Sequence, residues 1–270
     1  MSNELCTLPS HMLRGTEYHS PAREASVFSS CFPSLSAYSG MLFVALKLYV
    51  QARLGRCSDL AWMRASEGIF RHLERVGCRI HIEGLEHIGA TREACIFVGN
   101  HMSTLDAFGL PAIIRPFRPV TPVVKRSLTT MPLFAPIMNS RDPIAVDREN
   151  PRADFTTVME GGLERLNRGI SIIVFPQSTR SLTFDPRKFN SIGVKLAKHA
   201  GVPIIPMALK TDAWGQGGAV KDLGPIRPEK TVHIRFGAPI HVRGQGKEEQ
   251  ARICDFIQGS LEEWTPGAAR

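Results

Sequence analysis

The chain of 270 residues is poor in the features that mark folds stabilised by disulfides or by structural metal ions. It holds six cysteines, and no two of them form a Cys-x-x-Cys pair. This pattern argues against a disulfide framework and against a structural zinc site, so we predict reduced and mostly buried cysteines. The sequence also lacks internal repeats and a Pro- or Ser-rich linker in its middle, which favours one principal domain.

Two kinds of functional pattern are missing as well. Aromatic residues make up only 7% of the chain, and the basic residues are dispersed rather than interleaved with aromatics, which argues against an RNA-binding domain. No Gly-x-Ser-x-Gly elbow is present, which argues against a serine hydrolase. The net charge of +8 still favours a nucleic acid, an anionic membrane surface or a phosphorylated substrate as partner. Solubility alone explains such a charge equally well.

Long apolar stretches are scarce near the N-terminus. The first residues have no apolar core behind a basic start, so they do not resemble a secretory signal, and we predict a loosely ordered tail over residues 1–32. In residues 36–55, Lys47 interrupts an apolar run shorter than the roughly 20 residues that a spanning helix needs. We interpret residues 33–78 as a helical segment that lies on or dips into a membrane interface. The alternative is an ordinary helix buried against the core.

Short apolar runs alternate along the chain with segments of helical periodicity. The predicted strands span residues 79–85, 95–99, 120–125, 143–147, 171–175, 202–209 and 231–237. The predicted helices span residues 58–77, 104–114, 152–167, 191–199 and 247–264. This alternation indicates an α/β domain over residues 79–270, with a mixed, mostly parallel central sheet covered by helices. The first strand alternates apolar and polar residues, as a strand at an exposed edge does.

One histidine stands where an α/β sheet places functional groups. His101 comes directly after the strand at 95–99, and Asp106 follows five positions later. If a helix starts near Ser103, the Asp106 carboxylate can reach one imidazole nitrogen and leave the other as a general base. A hydroxyl nucleophile needs such a base because its own pKa lies far above neutrality. The alternative is that Asp106 only caps the helix together with Ser103.

Four blocks in order resemble those of the glycerolipid acyltransferase family, whose best-known members are the bacterial 1-acylglycerol-3-phosphate acyltransferases. The blocks are NHMSTLD from residue 100, VDR from residue 146, FPQSTRS from residue 175 and VPIIP from residue 202. The resemblance covers about residues 82–237. A single block would not be persuasive, but the order and spacing of four make the resemblance specific.

The resemblance implies transfer of a fatty acyl group from acyl-CoA or acyl-ACP to a hydroxyl of a lysophospholipid. The expected acceptor is 1-acylglycerol-3-phosphate, and the expected role is phospholipid biosynthesis by a peripheral or monotopic protein on the cytoplasmic face of a membrane. Neither a metal, a bound organic cofactor nor a nucleic acid partner is implied, and the oligomeric state stays open. The oxyanion of the reaction needs backbone donors, either in the turn after Phe175 or at the helix start after His101.

The matched blocks also imply the site residues. By resemblance, the expected catalytic residues are His101 and Asp106, and the expected substrate-binding residues are Lys125, Arg148, Gln177, Ser178, Thr179 and Arg180. Lys125 and Arg148 match the basic residue of the family's second block. Arg180 is expected to pair with the phosphate of the acceptor, since a guanidinium matches two phosphate oxygens.

The third block departs from the family pattern, which usually has Glu-Gly where this chain has Gln177 and Ser178. A glutamine holds a hydroxyl by hydrogen bonds but cannot act as a base. Ser178 adds a side chain where the backbone approaches a ligand closely. A different lipid acceptor, either another lysophospholipid or an aminolipid, therefore stays open. So does a non-catalytic protein that binds anionic lipid or nucleic acid.

Overall fold

The computed structural model describes residues 12, 15–21, 24–177, 179–218 and 222–265. Within these ranges the strands are β1 (Glu17–His19), β2 (Ile80–Glu83), β3 (Ile96–Gly99), β4 (Val120–Lys125), β5 (Ile144–Val146), β6 (Ser171–Val174), β7 (Ile204–Lys210) and β8 (Val232–Phe236). The helices are α1 (Val27–Cys31), α2 (Pro33–Arg53), α3 (Asp59–Arg75), α4 (Leu85–Ile88), α5 (Thr104–Ile114), α6 (Ala135–Asn139), α7 (Pro151–Asn167), α8 (Ile192–Ala200) and α9 (Lys247–Glu263). The predicted alternation of strands and helices is confirmed.

The described strands form one sheet in the order β1-β2-β8-β7-β3-β6-β4-β5. The β1–β2 and β7–β8 pairs are antiparallel, and the other five pairs are parallel. A mixed, mostly parallel sheet was predicted and is confirmed. The neighbouring parallel strands β7, β3, β6, β4 and β5 all end on the same side of the sheet, which we call the carboxyl edge.

Helices cover both faces of the sheet. In β3, Ile96 and Val98 join a core cluster with α7, α8 and α9, whereas Phe97 between them joins a cluster with α3 and α5. Successive side chains of a strand point to opposite faces, so a strand buried on both faces reads as a continuous apolar run. The buried free cysteines agree with the prediction and are Cys57, Cys78, Cys95 and Cys254, while Cys31 is exposed.

The prediction of a loosely ordered tail fails for residues 17–19 and 27–31, and the prediction of an exposed edge strand at residues 79–85 is wrong. The predicted tail over residues 1–32 contains β1, whose Tyr18 pairs with Ile82 of β2 and donates a hydrogen bond to Glu74. Residues 1–11, 13, 14, 22 and 23 of that tail lie outside the described residues. Because β1 covers its outer side, β2 is an interior strand of the sheet rather than an exposed edge. Its alternating pattern reflects one buried face instead.

The helix α2 is longer than its apolar run. It has 21 residues because it begins at Pro33, ahead of the run, and it is long and apolar enough to cross a membrane by length and composition. The length argument against spanning is therefore wrong. Only 17% of its most apolar window is buried. Its exposed large side chains are Leu35, Leu42, Phe43, Leu46 and Val50, so it is not an ordinary buried core helix.

Candidate active site

His101 lies at the carboxyl edge of the sheet, in the turn between β3 and α5. Its Nδ1 is 2.9 Å from Oδ2 of Asp106. An ionised carboxylate only accepts hydrogen bonds, so Nδ1 carries a proton and Nε2 is the basic nitrogen. The side chain of Asp106 is fully buried, whereas 12% of the His101 side chain is exposed. The histidine is therefore the member of the pair that a substrate can reach.

The same carboxylate caps α5. Ser103 is the N-cap residue, and its Oγ accepts a hydrogen bond from the N–H of Leu105. Asp106 Oδ2 accepts from the backbone N–H groups of Met102 at 2.6 Å and Ser103 at 2.9 Å. The same carboxylate therefore both closes the helix start and contacts the imidazole.

Phe175 and Gln177 connect the third sequence block to His101. The His101 and Phe175 rings stack with centroids 4.4 Å apart and planes 12° from parallel. Gln177 is buried, and its Oε1 accepts the backbone N–H of His101 at 2.8 Å. A glutamate oxygen makes the same kind of contact, so the replacement of Glu by Gln in this block preserves the support of the His101 turn.

Asn100 fixes the turn from the other side. Its Nδ2 donates to the carbonyl of Leu209 at 2.7 Å, and its Oδ1 accepts from the N–H of Leu209 at 2.8 Å. Just before it, β3 and β7 approach closely, since a Cβ atom on Gly99 would lie 2.9 Å from the carbonyl oxygen of Met207. The end of β3 is thus fixed against β7 immediately before His101.

Two residues that sequence reasoning missed also contact this site. Thr211, directly after β7, donates a hydrogen bond to Oδ1 of Asp106. Its position beyond a strand at the carboxyl edge is the signal that could have identified it. Asp222 is the second, and its Oδ1 lies 2.7 Å from a guanidinium nitrogen of Arg180. No pattern in the sequence marks Asp222.

Arg180 is thus held by a carboxylate in this structure. The same guanidinium also contacts Oγ1 of Thr104 at the start of α5. Asp222 is itself held by its backbone carbonyl, which accepts a hydrogen bond from the indole N–H of Trp214 at 3.0 Å. Arg180, the residue predicted to bind the acceptor's phosphate, therefore lies beside the first turn of α5, which also contains Asp106.

Arg148 adds a second positive charge to this region. Its backbone is in the left-handed region at φ 65°, and Asp154 accepts the N–H groups of Asp147 and Arg148 at 3.0 and 2.9 Å. Partial burial lowers the pKa of the Arg148 guanidinium, Asp154 raises it, and the charge of Arg180 lowers it further. The two arginines are therefore close enough to repel each other.

The remaining predicted site residues lie nearby or outside the described ranges. Lys125 is exposed at the end of β4, opposite Val146 of β5. Thr179 is exposed in the turn after β6. Ser178 lies outside the described residues. Within the described ranges, no group of three or more His, Cys, Asp or Glu side chains is arranged to hold a metal ion.

A cavity of about 340 Å³ opens beside Phe175 and Gln177. Its apolar lining includes Val123, Val146, Phe155, Val158, Val174 and Ile192. Arg148, Lys195 and Asp154 also line it, so it combines an apolar wall with two positive charges and one negative charge. This combination suits a ligand that has both an apolar and an anionic part.

Comparisons with known proteins identify a matching family model and several similar proteins. A family model described as Acyltransferase matches residues 79–210. The 1-acyl-sn-glycerol-3-phosphate acyltransferase of Pseudomonas aeruginosa is 30% identical over 188 residues, which cover 69% of each chain. An enzyme of the same name from Limnanthes douglasii is 32% identical over 143 residues, and the chain spans about half of its length (49%).

The fold is shared with a solved structure. The crystal structure of the 1-acyl-sn-glycerophosphate (LPA) acyltransferase PlsC from Thermotoga maritima matches with a TM-score of 0.59 and 17% identity. The match covers 87% of this chain and all of that one. Taken with the extent of the Pseudomonas alignment, these similarities show that the chain belongs to the glycerolipid acyltransferase family.

Proposed function

We propose that this protein transfers a fatty acyl group from acyl-CoA or acyl-ACP to a hydroxyl of 1-acylglycerol-3-phosphate, in phospholipid biosynthesis. The observation that carries the proposal is the His101–Asp106 pair, 2.9 Å apart at the carboxyl edge, with the carboxylate buried and the imidazole accessible. The names of the Pseudomonas and Limnanthes relatives support the choice of acceptor.

The pair supplies general-base chemistry. Nε2 of His101 takes the proton of the acceptor hydroxyl as its oxygen attacks the thioester carbonyl, and Asp106 stabilises the resulting imidazolium. When the tetrahedral intermediate collapses, the new ester C–O bond remains and the C–S bond breaks. The imidazolium returns its proton to the departing sulfur, so that a free thiol leaves and the enzyme is restored.

The oxyanion of this intermediate draws its donors from the turn after Phe175. The alternative source is the helix start after His101, where three backbone N–H groups already have acceptors. Those of Met102 and Ser103 bind Asp106, and that of Leu105 binds Ser103. Backbone donors must be unoccupied and aimed at the developing charge to stabilise it.

The acceptor's phosphate binds to Arg180, with Arg148 adding positive charge. Two guanidinium groups that repel each other gain from an anion that both can approach. Lys125, Thr179 and Ser178 complete the predicted set around the headgroup. Gln177 contributes by holding the turn of His101, and the apolar cavity beside it receives part of an acyl chain.

The protein works at a membrane, which explains how it meets lipid substrates. The exposed side chains Phe28, Phe32, Leu42, Phe43 and Leu46 place an apolar surface on α1, α2 and the residue between them. Lys47, Arg53 and Arg56 are exposed on or just after α2 and suit anionic headgroups. We assign this surface to the cytoplasmic face of the membrane, with the protein peripheral or monotopic.

The test is thiol release from acyl-CoA and acyl-ACP by the purified protein, with and without 1-acylglycerol-3-phosphate, other lysophospholipids and an aminolipid. We expect release that depends on the acceptor and disappears in His101→Ala. His199→Ala, which changes an exposed histidine on α8, should retain full activity. Release without any acceptor would instead indicate a hydrolase, and full activity of His101→Ala would overturn the proposed mechanism.

A further inference from the structure

Thr211 contacts the Asp106 carboxylate but has no assigned role in the proposed acyl transfer. It follows the last residue of β7 and is fully buried. Its hydroxyl lies between two polar groups of the α5 start, 2.9 Å from Ser103 Oγ and 2.5 Å from Asp106 Oδ1. A buried hydroxyl between two polar partners can donate its one proton to only one of them and accepts from the other.

The hydrogen bonds run in one direction. Since the ionised Asp106 can only accept, the Thr211 hydroxyl donates to Oδ1. The lone pairs of Thr211 then accept the proton of Ser103, whose own oxygen accepts the N–H of Leu105. The chain of donors therefore ends on the carboxylate that faces His101.

The two oxygens of Asp106 have different surroundings. Oδ2 accepts three N–H groups, from His101 Nδ1, Met102 and Ser103. Oδ1 accepts the hydroxyl of Thr211. A carboxylate is planar and turns about one bond, so donors on both oxygens fix its plane. Without the hydroxyl, a fully buried anionic oxygen loses this donor, and the carboxylate is held through Oδ2 alone.

We propose that Thr211 is a positioning residue for acyl transfer, whose hydroxyl fixes the Asp106 carboxylate in the plane that orients and stabilises the His101 imidazolium. Thr211 acts through Asp106 and does not touch the substrate. This inference rests on the proposed role of His101 as general base. It predicts a loss that appears in kcat, because the imidazolium forms only as the reaction proceeds.

The test compares three variants of the purified full chain in the thiol-release assay. Thr211→Val keeps the shape but removes the hydroxyl, and we expect kcat to fall about 10- to 100-fold with KM for the acceptor unchanged within about twofold. Thr211→Ser restores the hydroxyl and should recover most of kcat. The low-field proton resonance of His101 Nδ1–H should be lost or shifted in Thr211→Val and recovered in Thr211→Ser.

Thr121→Val is the matched control. Thr121 is equally buried on β4, and its hydroxyl donates to the backbone carbonyls of Arg141 and Asp142 rather than to the His101 site. We expect Thr121→Val to keep kcat within about threefold even if it loses comparable stability. Equal losses of kcat in both valine variants, or a Thr211→Ser variant without recovery, would overturn the positioning role. Full activity of His101→Ala would instead overturn the general-base mechanism itself, which distinguishes that failure from a failure of the Thr211 role alone.

Discussion

The guanidinium of Arg180 is ion-paired with the carboxylate of Asp222 at 2.7 Å. The side chain of Asp222 is 59% exposed and that of Arg180 only 18%. The carboxylate can therefore move into water while the guanidinium stays in place. An acceptor phosphate that binds Arg180 must compete with this carboxylate.

We expect Asp222→Asn to lower the KM for 1-acylglycerol-3-phosphate and Arg180→Gln to raise it about 10- to 100-fold, because each change alters the charge that the phosphate meets. A monoacylglycerol, which lacks the phosphate, should show neither shift. Initial rates over a range of acceptor concentrations measure both effects. Arg187→Gln is the control, since Arg187 is exposed and paired with Asp185. Equal KM shifts for both acceptors would contradict a phosphate role.

Asp106→Asn should reduce kcat about 10²- to 10⁴-fold. The amide oxygen can still accept the N–H groups of His101, Met102 and Ser103, and the Thr211 hydroxyl can turn to accept the new NH₂ group. The fold and the helix cap therefore survive, while the negative charge that stabilises the imidazolium is lost. Turnover and circular dichroism together check this expectation. A variant that is inactive only because it is unfolded would not support it.

Gln177→Leu should lower the free energy of unfolding by about 1–3 kcal/mol, because the part-buried backbone N–H of His101 loses its acceptor. Gln177→Glu keeps an acceptor at that position and should cost less. Urea denaturation measures the stability, and thiol release measures the accompanying change in kcat. The contact would have no structural role if the leucine variant unfolded at the same urea concentration as the wild type.

Replacement of Leu42, Phe43 and Leu46 by serine should weaken binding to lipid vesicles at least about tenfold, since each removes exposed apolar area from the membrane contact. Lys47→Gln with Arg53→Gln should weaken binding to anionic vesicles only, and most clearly at low salt. Cosedimentation with neutral and anionic vesicles separates the two effects. Leu182→Ser, an exposed leucine outside α1 and α2, serves as control. Unchanged binding of the triple variant would remove this surface from the proposal.

His233 should make the protein less stable as the pH falls. The pKa of His233 is lowered to about 4, chiefly by burial; the neighbours His81 and Lys210 also lower it, and Glu83 raises it. Within the described residues, the buried Nδ1 of His233 has no hydrogen-bond partner. The unfolded chain, with a histidine pKa near 6.5, binds the proton more tightly than the folded protein. The contribution of His233 to the free energy of unfolding is therefore fully present above about pH 6.5 and is lost as the pH falls toward 4.

The melting temperature of His233→Gln should fall less steeply than that of the wild type between pH 7 and pH 4.5. His199→Gln changes an exposed histidine and should keep the wild-type slope. Identical slopes for all three proteins would assign the loss of stability to other groups.

The sequence predicts those parts of the fold and site that depend on local patterns. β3 is recognisable because it is buried on both faces and reads as an apolar run. The contact between His101 and Asp106 is equally predictable, since five positions and a helix cap determine it. By contrast, β1 has only three residues, and its pairing with β2 joins segments more than 60 positions apart.

Contacts between distant segments cannot be predicted from local sequence patterns. Thr211 reaches Asp106 across 105 positions, because β7 lies beside β3 in the sheet. Asp222 contacts Arg180 from a loop beyond β7, and no sequence pattern links these two residues. The sheet order decides which strand ends meet, and that order is a property of the packed chain rather than of any short segment.

The side chain of Asn100 substitutes for a peptide unit. It offers Leu209 one donor and one acceptor, as the next residue of a paired strand would. The main chain of β3 can therefore leave the sheet at Gly99 while β7 continues to Lys210 with the backbone groups of Leu209 satisfied. This difference in strand length places His101 just beyond the end of β3 and Thr211 just beyond the end of β7. Among residues of this size, aspartate lacks the donor and leucine lacks both groups, so either replacement would leave a backbone group of Leu209 without its Asn100 partner.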